Sequence, residues 1–321
     1  MKKEFFTIVL AFLCGITLPL YAQVSSSLDI LKANPDVRSA GMGNALVGTN
    51  DRMYLYLNPG AFFQKKQKWA VDASWERYKI ESAEDVGSLN QYNFAAGYRL
   101  FPRHAVFAGM RYWGGLSMPN VGTDLNTRKR HTSPFDYTLD FGYAYQLTDK
   151  MTVFATGSYI SSYIGRYGVA WSFGAGITYQ MDLHIGQIPA YLHFLLKASD
   201  LGTALDYGKS IDTALPGSVS GGVTLGFTPA EEHNLIFSLS DRYYVLPMRA
   251  TTHFVSVGAE YGFKKTFFAR CGYEQELRNN GFLTLGLGGQ YRGVRLDASY
   301  RFAAASMGSG NLFQIGMGFA L

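Results

Sequence analysis

The sequence predicts an all-β protein: a transmembrane antiparallel β-barrel of about fourteen strands with a short N-terminal plug or hatch segment. Three observations predict it. Charged residues make up only 17% of the 321, below the ~25% usual in soluble domains. Aromatics and glycine are abundant (Tyr 22, Phe 23, Gly 36), yet mean hydropathy is −0.03 and no apolar run past residue 20 approaches the ~18–20 residues of a membrane helix. From residue 67 onward the chain breaks into short alternating segments. Lipid-facing and lumen-facing side chains then average out.

Taken in order, residues 1–22 read as a secretory signal. Lys2 and Lys3 form its basic start, Phe5 to Leu18 its apolar stretch, and Leu20-Tyr21-Ala22 a cleavage site near Ala22. An uncleaved anchor helix is the alternative, disfavoured because the apolar stretch is short and ends at Pro19. Cys14 follows Leu13 rather than a small residue, which argues against lipidation. Loss of Lys2, Lys3 and Glu4 lowers the formal net charge from +5 to +4, too little to imply nucleic acid as a partner. Only Cys271 remains after cleavage, so neither an internal disulfide nor a thiolate metal cluster is expected.

Residues 23–63 form the second unit and 64–321 the barrel. Strands are expected near 67–79, 90–100, 104–118, 134–147, 150–164, 168–182, 189–198, 216–228, 233–243, 252–263, 266–276, 282–291, 293–303 and 311–321. Segment 294–302 shows the pattern: Val294, Leu296, Ala298, Tyr300 and Phe302 on one face, Arg295, Asp297, Ser299 and Arg301 on the other. A soluble sandwich alternates too, so the connections decide. Tight turns (Pro102-Arg103, Thr148-Asp149, Lys264-Lys265, Arg292) interleave with mostly longer ones (80–89, 119–133, 165–167, 199–215). That asymmetry belongs to outer-membrane barrels, with short periplasmic turns and longer outer loops. A closed sheet also leaves no backbone amide unpaired in hydrocarbon.

The second unit lacks a steady period. It carries Arg38-Ser39-Ala40-Gly41-Met42-Gly43-Asn44-Ala45 and, further on, Asn58-Pro59-Gly60. Gly41 and Gly43 let backbone pass close to a wall, and Asn58-Pro59 starts a turn. Two helical turns are expected over 50–57, led by Asn50-Asp51; an extra strand over GMGNALVG is the alternative. Asn58-Pro59-Gly60 marks the expected exit into the first barrel strand. These segments resemble the start of PorV/PorQ-family outer-membrane proteins. More distantly the chain is similar to the long-chain fatty-acid transporters (FadL-like), whose hatch sits inside a fourteen-stranded barrel. The departure is Asn-Pro-Gly where the family usually has Asn-Pro-Ala. The plug motif is thus Arg38, Gly41, Met42, Gly43, Asn58 and Pro59.

No reaction chemistry is encoded in a recognisable spacing, so no enzyme, metal or cofactor is expected. The six His (104, 131, 184, 193, 233, 253) lack metal spacing. Arg99, Arg111, Asp136, Asp140, Arg270, Glu274, Arg295, Asp297 and Arg301 are expected to face the lumen, because Arg near the bilayer midplane costs roughly 2–4 kcal/mol. They serve either a network that holds the plug or a polar conduit. Arg128-Lys129-Arg130 reads as a solvated loop or a contact for lipopolysaccharide phosphate or a partner. Trp69, Trp75, Trp113 and Trp171 are assigned to interface belts. Phe107 and Trp113 are also apolar lumen candidates. The resemblance implies an accessory barrel of type IX protein secretion or surface attachment in the cell outer membrane, contacting outer-membrane lipid and lipopolysaccharide, secretion-machinery subunits or exported cargo. Passive uptake of a hydrophobic small molecule, and a structural barrel, are the alternatives.

Overall fold

The computed structural model describes residues 28–48, 52–78, 87–119, 131–208, 212–248, 251–277, 281–302 and 311–321. The expected export signal, the Asn50-Asp51 pair and Arg128-Lys129-Arg130 lie outside the described residues. Fourteen long strands follow one another around a closed antiparallel barrel: β1 Trp69–Tyr78, β2 Gly87–Phe101, β3 His104–Leu116, β4 Phe135–Thr148, β5 Met151–Tyr163, β6 Tyr167–Ile185, β7 Ile188–Gly202, β8 Ser218–Ala230, β9 His233–Tyr244, β10 Thr252–Phe263, β11 Phe267–Glu276, β12 Phe282–Tyr291, β13 Val294–Phe302 and β14 Leu312–Ala320. Each pairs with its chain neighbours, and β1 closes the circle on β14 from Ala70↔Ala320 to Tyr78↔Leu312. The two-residue pieces Leu205–Asp206 and Asp212–Thr213 extend the sheet above β6. Every expected strand is present, within a few residues at its ends.

Period-two alternation sorts the side chains. On β13, Val294, Leu296 and Phe302 are exposed while Arg295 and Asp297 are buried. On β14, Phe313, Ile315 and Met317 face out, and Leu312 and Gln314 face in. Outward aromatics gather near both ends, as the amphipathic rings of a membrane interface do. At one end Phe101, Phe267 and Tyr291 are exposed. At the other, Tyr112, Phe135, Tyr163 and Tyr167 form a ladder with successive centroids 6.1, 5.5 and 4.8 Å apart. No helix among the described residues is long and apolar enough to cross a membrane; the strands cross.

The six tight turns lie at the end of the barrel where chain entry and exit meet, with Lys68 N–H donating to Leu321 O at 2.6 Å. The seven other connections lie at the opposite end. One of these, expected to be roomy, is the three-residue turn 164–166. There Gly165 at φ +100° reverses the chain, so no longer loop is needed.

Inside the barrel runs the segment from Leu28 to Gln64. It contains the single-turn helices α1 Asp29–Lys32, α2 Val37–Ala40 and α3 Tyr54–Leu57, then a 3-10 helix, Pro59–Gln64. Two expectations need correcting here. The 50–57 helix is one turn, not two, because Met53 sits in the left-handed region at φ +46° and α-helical backbone begins only after it. Residues 41–44 form turns and 45–47 have no regular structure, so GMGNALVG is no strand; its backbone donors go to wall hydroxyls instead.

Candidate functional site: the inner segment and its wall

The inner segment makes a circuit of the lumen, and each stage is held by different chemistry. At Arg38 it is charge. The guanidinium forks onto Glu260, Nε to Oε2 and Nη2 to Oε1, both at 2.7 Å. Glu260 also accepts from Arg270 Nε at 2.6 Å. Arg270 Nη1 reaches Asp297 Oδ1 at 2.7 Å, and Arg295 Nε reaches Asp297 Oδ2 at 2.8 Å. Three guanidinia thus share two carboxylates, all buried. Phe268 lies beside the wall pair, 4.4 Å from Arg295 and 5.6 Å from Arg270, a geometry that favours cations over an aromatic face. Register explains the cluster, since Glu260 pairs with Arg270 across β10–β11 and Asp297 with Gly288 across β12–β13.

The next stage is close approach. The Met42–Gly43 backbone presses on Gly258 and Gly272, where a Cβ would collide with it. Gly41 and Gly286 face each other; a Cβ on Gly286 would lie 3.1 Å from Gly41 Cα. Gly43 itself has φ +69°, a conformation glycine adopts freely. Once backbone lies this near the wall, its donors can reach wall hydroxyls. Gly43 N–H donates to Thr284 (2.8 Å), Leu46 N–H to Ser240 (3.0 Å) and Gly48 N–H to Thr224 (3.0 Å). Asn44 donates to Glu274 at 2.6 Å. Irregular backbone in a lumen needs such partners.

The last stage is apolar. Tyr54, Leu55, Leu57, Ala61 and Phe62 are buried against Ala70, Ala95, Ala105, Phe107, Ala144, Phe154 and Leu195 of the wall. Phe62 meets Tyr54 and Phe107 edge-on at 5.1 and 5.3 Å. Asn58 ties the two halves of the motif together: its Nδ2 donates to Gly48 O at 3.2 Å and its Oδ1 accepts from Gly60 N at 3.1 Å. The Asn58-Pro59-Gly60 turn is not the exit. Phe62 is still fully buried, and the chain first reaches solvent at Gln64 to Lys66.

The remaining expected residues fall as follows. Arg111 forks onto Asp140 (Nη2 to Oδ1 2.9 Å, Nε to Oδ2 3.2 Å) and lies 4.9 Å from the Tyr56 ring. Tyr56 donates to the same carboxylate at 3.0 Å; burial, then the Asp140 charge, pushes its hydroxyl well above the ordinary range, so it stays a donor. Arg99 donates to Phe62 O at 3.1 Å and Lys65 O at 2.6 Å, next to the tight-turn end. Arg301 lies 4.7 Å from the Phe282 ring. Asp136 is half-buried on the lumen face opposite Ser162. Trp113 does not belong to a belt. It faces inward, 9% exposed, with its ring 4.9 Å from Tyr78, because odd-numbered positions of β3 point to the lumen; Trp171 is half-exposed on the outer face.

Sequence reasoning missed Glu260, the acceptor for Arg38, and also Lys197 and Arg242. The signal was present: Val255, Val257, Ala259 and Tyr261 set one face of β10, which turns Glu260 inward with Ser256 and Gly258. Among the described residues no group of His, Cys, Asp and Glu is arranged to hold a metal ion.

Comparison with known proteins bears on the whole arrangement. No curated protein matches the sequence. Among solved structures, the fold is similar to the Pseudomonas putida toluene transporter TodX, with TM-score 0.54 and 11% identity over 88% of this chain and 96% of that one. It is also similar to CymD, a monoaromatic hydrocarbon channel, with TM-score 0.50 and 13% identity over 88% and 95%. At those identities the likeness is one of fold: a closed antiparallel barrel of the same architecture. The family model for the type IX secretion system protein PorV matches residues 22–186. That match takes in the whole inner segment and the wall from β1 to β6, and on it the chain belongs to the PorV family.

Proposed function

We propose that this protein is an accessory outer-membrane barrel of type IX secretion or surface attachment, with residues 23–63 as a plug and the outer loops as the contact surface for partner subunits or exported cargo. The observation that carries the reading is the family match, joined to a lumen occupied by a segment that polar groups fix on one side and apolar groups on the other. A chain built to pass hydrophobic solutes would have little use for three arginines and two carboxylates beside its inner segment. The hydrophobic-uptake reading draws on the plug motif and on Phe107 and Trp113 as apolar lumen residues, and of these the two rings pack against Phe62 and Tyr78. No role in catalysis is assigned.

Comparison of the secreted and surface-attached proteins with and without the gene tests this. The expected outcome is loss or mislocalisation of a defined set of exported proteins. Gentle cross-linking of a tagged barrel is expected to recover secretion subunits or such cargo. An unchanged secretome together with no recovered partner would sink the proposal, and impaired growth on a hydrophobic solute would favour uptake.

A further inference from the structure

Between α3 and the wall from β4 to β9 lies a cavity of about 90 Å³, room for on the order of six water-sized atoms. Lys32, one-third exposed, lies among its lining residues. The charges around it divide into two sets. Arg111 and Asp140 satisfy each other. Lys197, Arg242 and Asp200 also line the cavity, and among the described residues no carboxylate comes within 4 Å of either cation. Lys197 Nζ donates to the Tyr56 and Leu57 carbonyls at 2.9 and 3.2 Å, which leaves it one further proton to give.

Register places these groups together. Ser220 of β8 lies directly across from Lys197 of β7 on one side and Arg242 of β9 on the other. The row therefore reads cation, hydroxyl, cation over two strand spacings, about 10 Å. The adjacent row, toward the loop end, reads Ser199, Ser218, Tyr244. Ser220 is 1% exposed and its hydroxyl has no hydrogen-bond partner among the described residues, although the residue lines the cavity. A buried hydroxyl facing such a cavity takes its partner from there, a water or a ligand atom.

We propose that this cavity binds a small monocarboxylate of acetate or glycolate size, held by Arg242, Ser220 and Lys197. The Lys197 and Arg242 side chains flank Ser220 on one face of the cavity, so its complement is an anion small enough to enter it. The planar fork of Arg242 suits a carboxylate, and the flanking serines suit a hydroxyl on its carbon. The site is independent of any role in secretion.

The test is titration of the purified full chain in detergent with acetate and glycolate, read by calorimetry, with inorganic phosphate and methylammonium as comparators. Saturable carboxylate binding is expected. Arg242→Gln should weaken it at least about tenfold, the worth of one charge-assisted hydrogen bond, and Ser220→Ala by about threefold or more. Heat-modifiable migration on gels reports folding of each variant, and Ser220→Ala alone decides if Arg242→Gln does not fold. Absence of saturable carboxylate binding, equal affinity in the folded variants, or tighter binding of phosphate than of acetate would each overturn the proposal.

Discussion

The two halves of the barrel wall hold the inner segment by different mixtures of contact. From β8 to β14 the wall offers glycines, hydroxyls and buried charge, and the segment answers with bare backbone and Arg38. From β1 to β7 an apolar cluster is added, in which alanines, Phe107, Phe154 and Leu195 meet Tyr54, Leu55, Leu57 and Phe62, beside polar ties from Asp72, Arg99, Asp140 and Lys197. Apolar burial is non-directional and tolerates small displacement, whereas hydrogen bonds weaken steeply with misalignment. The polar contacts therefore fix where the segment sits, and the apolar cluster supplies much of what keeps it there.

The largest test removes both halves at once. Deletion of residues 23–60 should convert a barrel of low conductance into a persistently open one in planar bilayers; an unchanged conductance would mean the segment does not obstruct the lumen. Next comes Glu260→Gln, which leaves Arg38 and Arg270 facing a neutral amide. Breaking a buried ion pair costs ~3–5 kcal/mol, and the loss should shrink when Arg38→Gln is added, as a double-mutant cycle of unfolding measures. Phe62→Ala should cost a similar ~3–5 kcal/mol, with no such recovery and little dependence on salt. If the halves do divide the work as argued, Glu260→Gln should produce transient channel openings and Phe62→Ala a uniform fall in stability. Thr284→Ala, which removes one acceptor from Gly43 N–H, should cost least, ~1–3 kcal/mol for the unsatisfied donor, visible as faster amide exchange at Gly43.

That contrast also explains what could be read from the chain beforehand. The barrel was legible because each strand states its own two faces: Val294 to Phe302 needs no knowledge of any other strand to be sorted into lipid and lumen. Arg38 and the two glycines stood out because they interrupt that pattern. Their partners did not. Glu260 lies 222 positions from Arg38, and which wall residue meets it depends on how fourteen strands stagger as they close. The conformation of the inner segment was the least legible part. Its one-turn helices are too short to be stable alone, and Met53 and Gly43 take left-handed backbone that tertiary contacts select. Trp113 was open to two readings, a belt from its residue type and the lumen from its strand, and only the parity of β3 decides for the lumen.

The closing seam between β1 and β14 has a consequence in time. Synthesis and export deliver the inner segment first, while the residues that receive Arg38 and Gly43 come from the last third of the chain. Those acceptors form a wall only when Ala320 and Leu321 reach Ala70 and Trp69. A segment still outside at that moment would have to thread past the finished rim. The order of assembly is therefore built into the connectivity: the barrel is wrapped around its contents, and zipping the final strand is the step that locks them in.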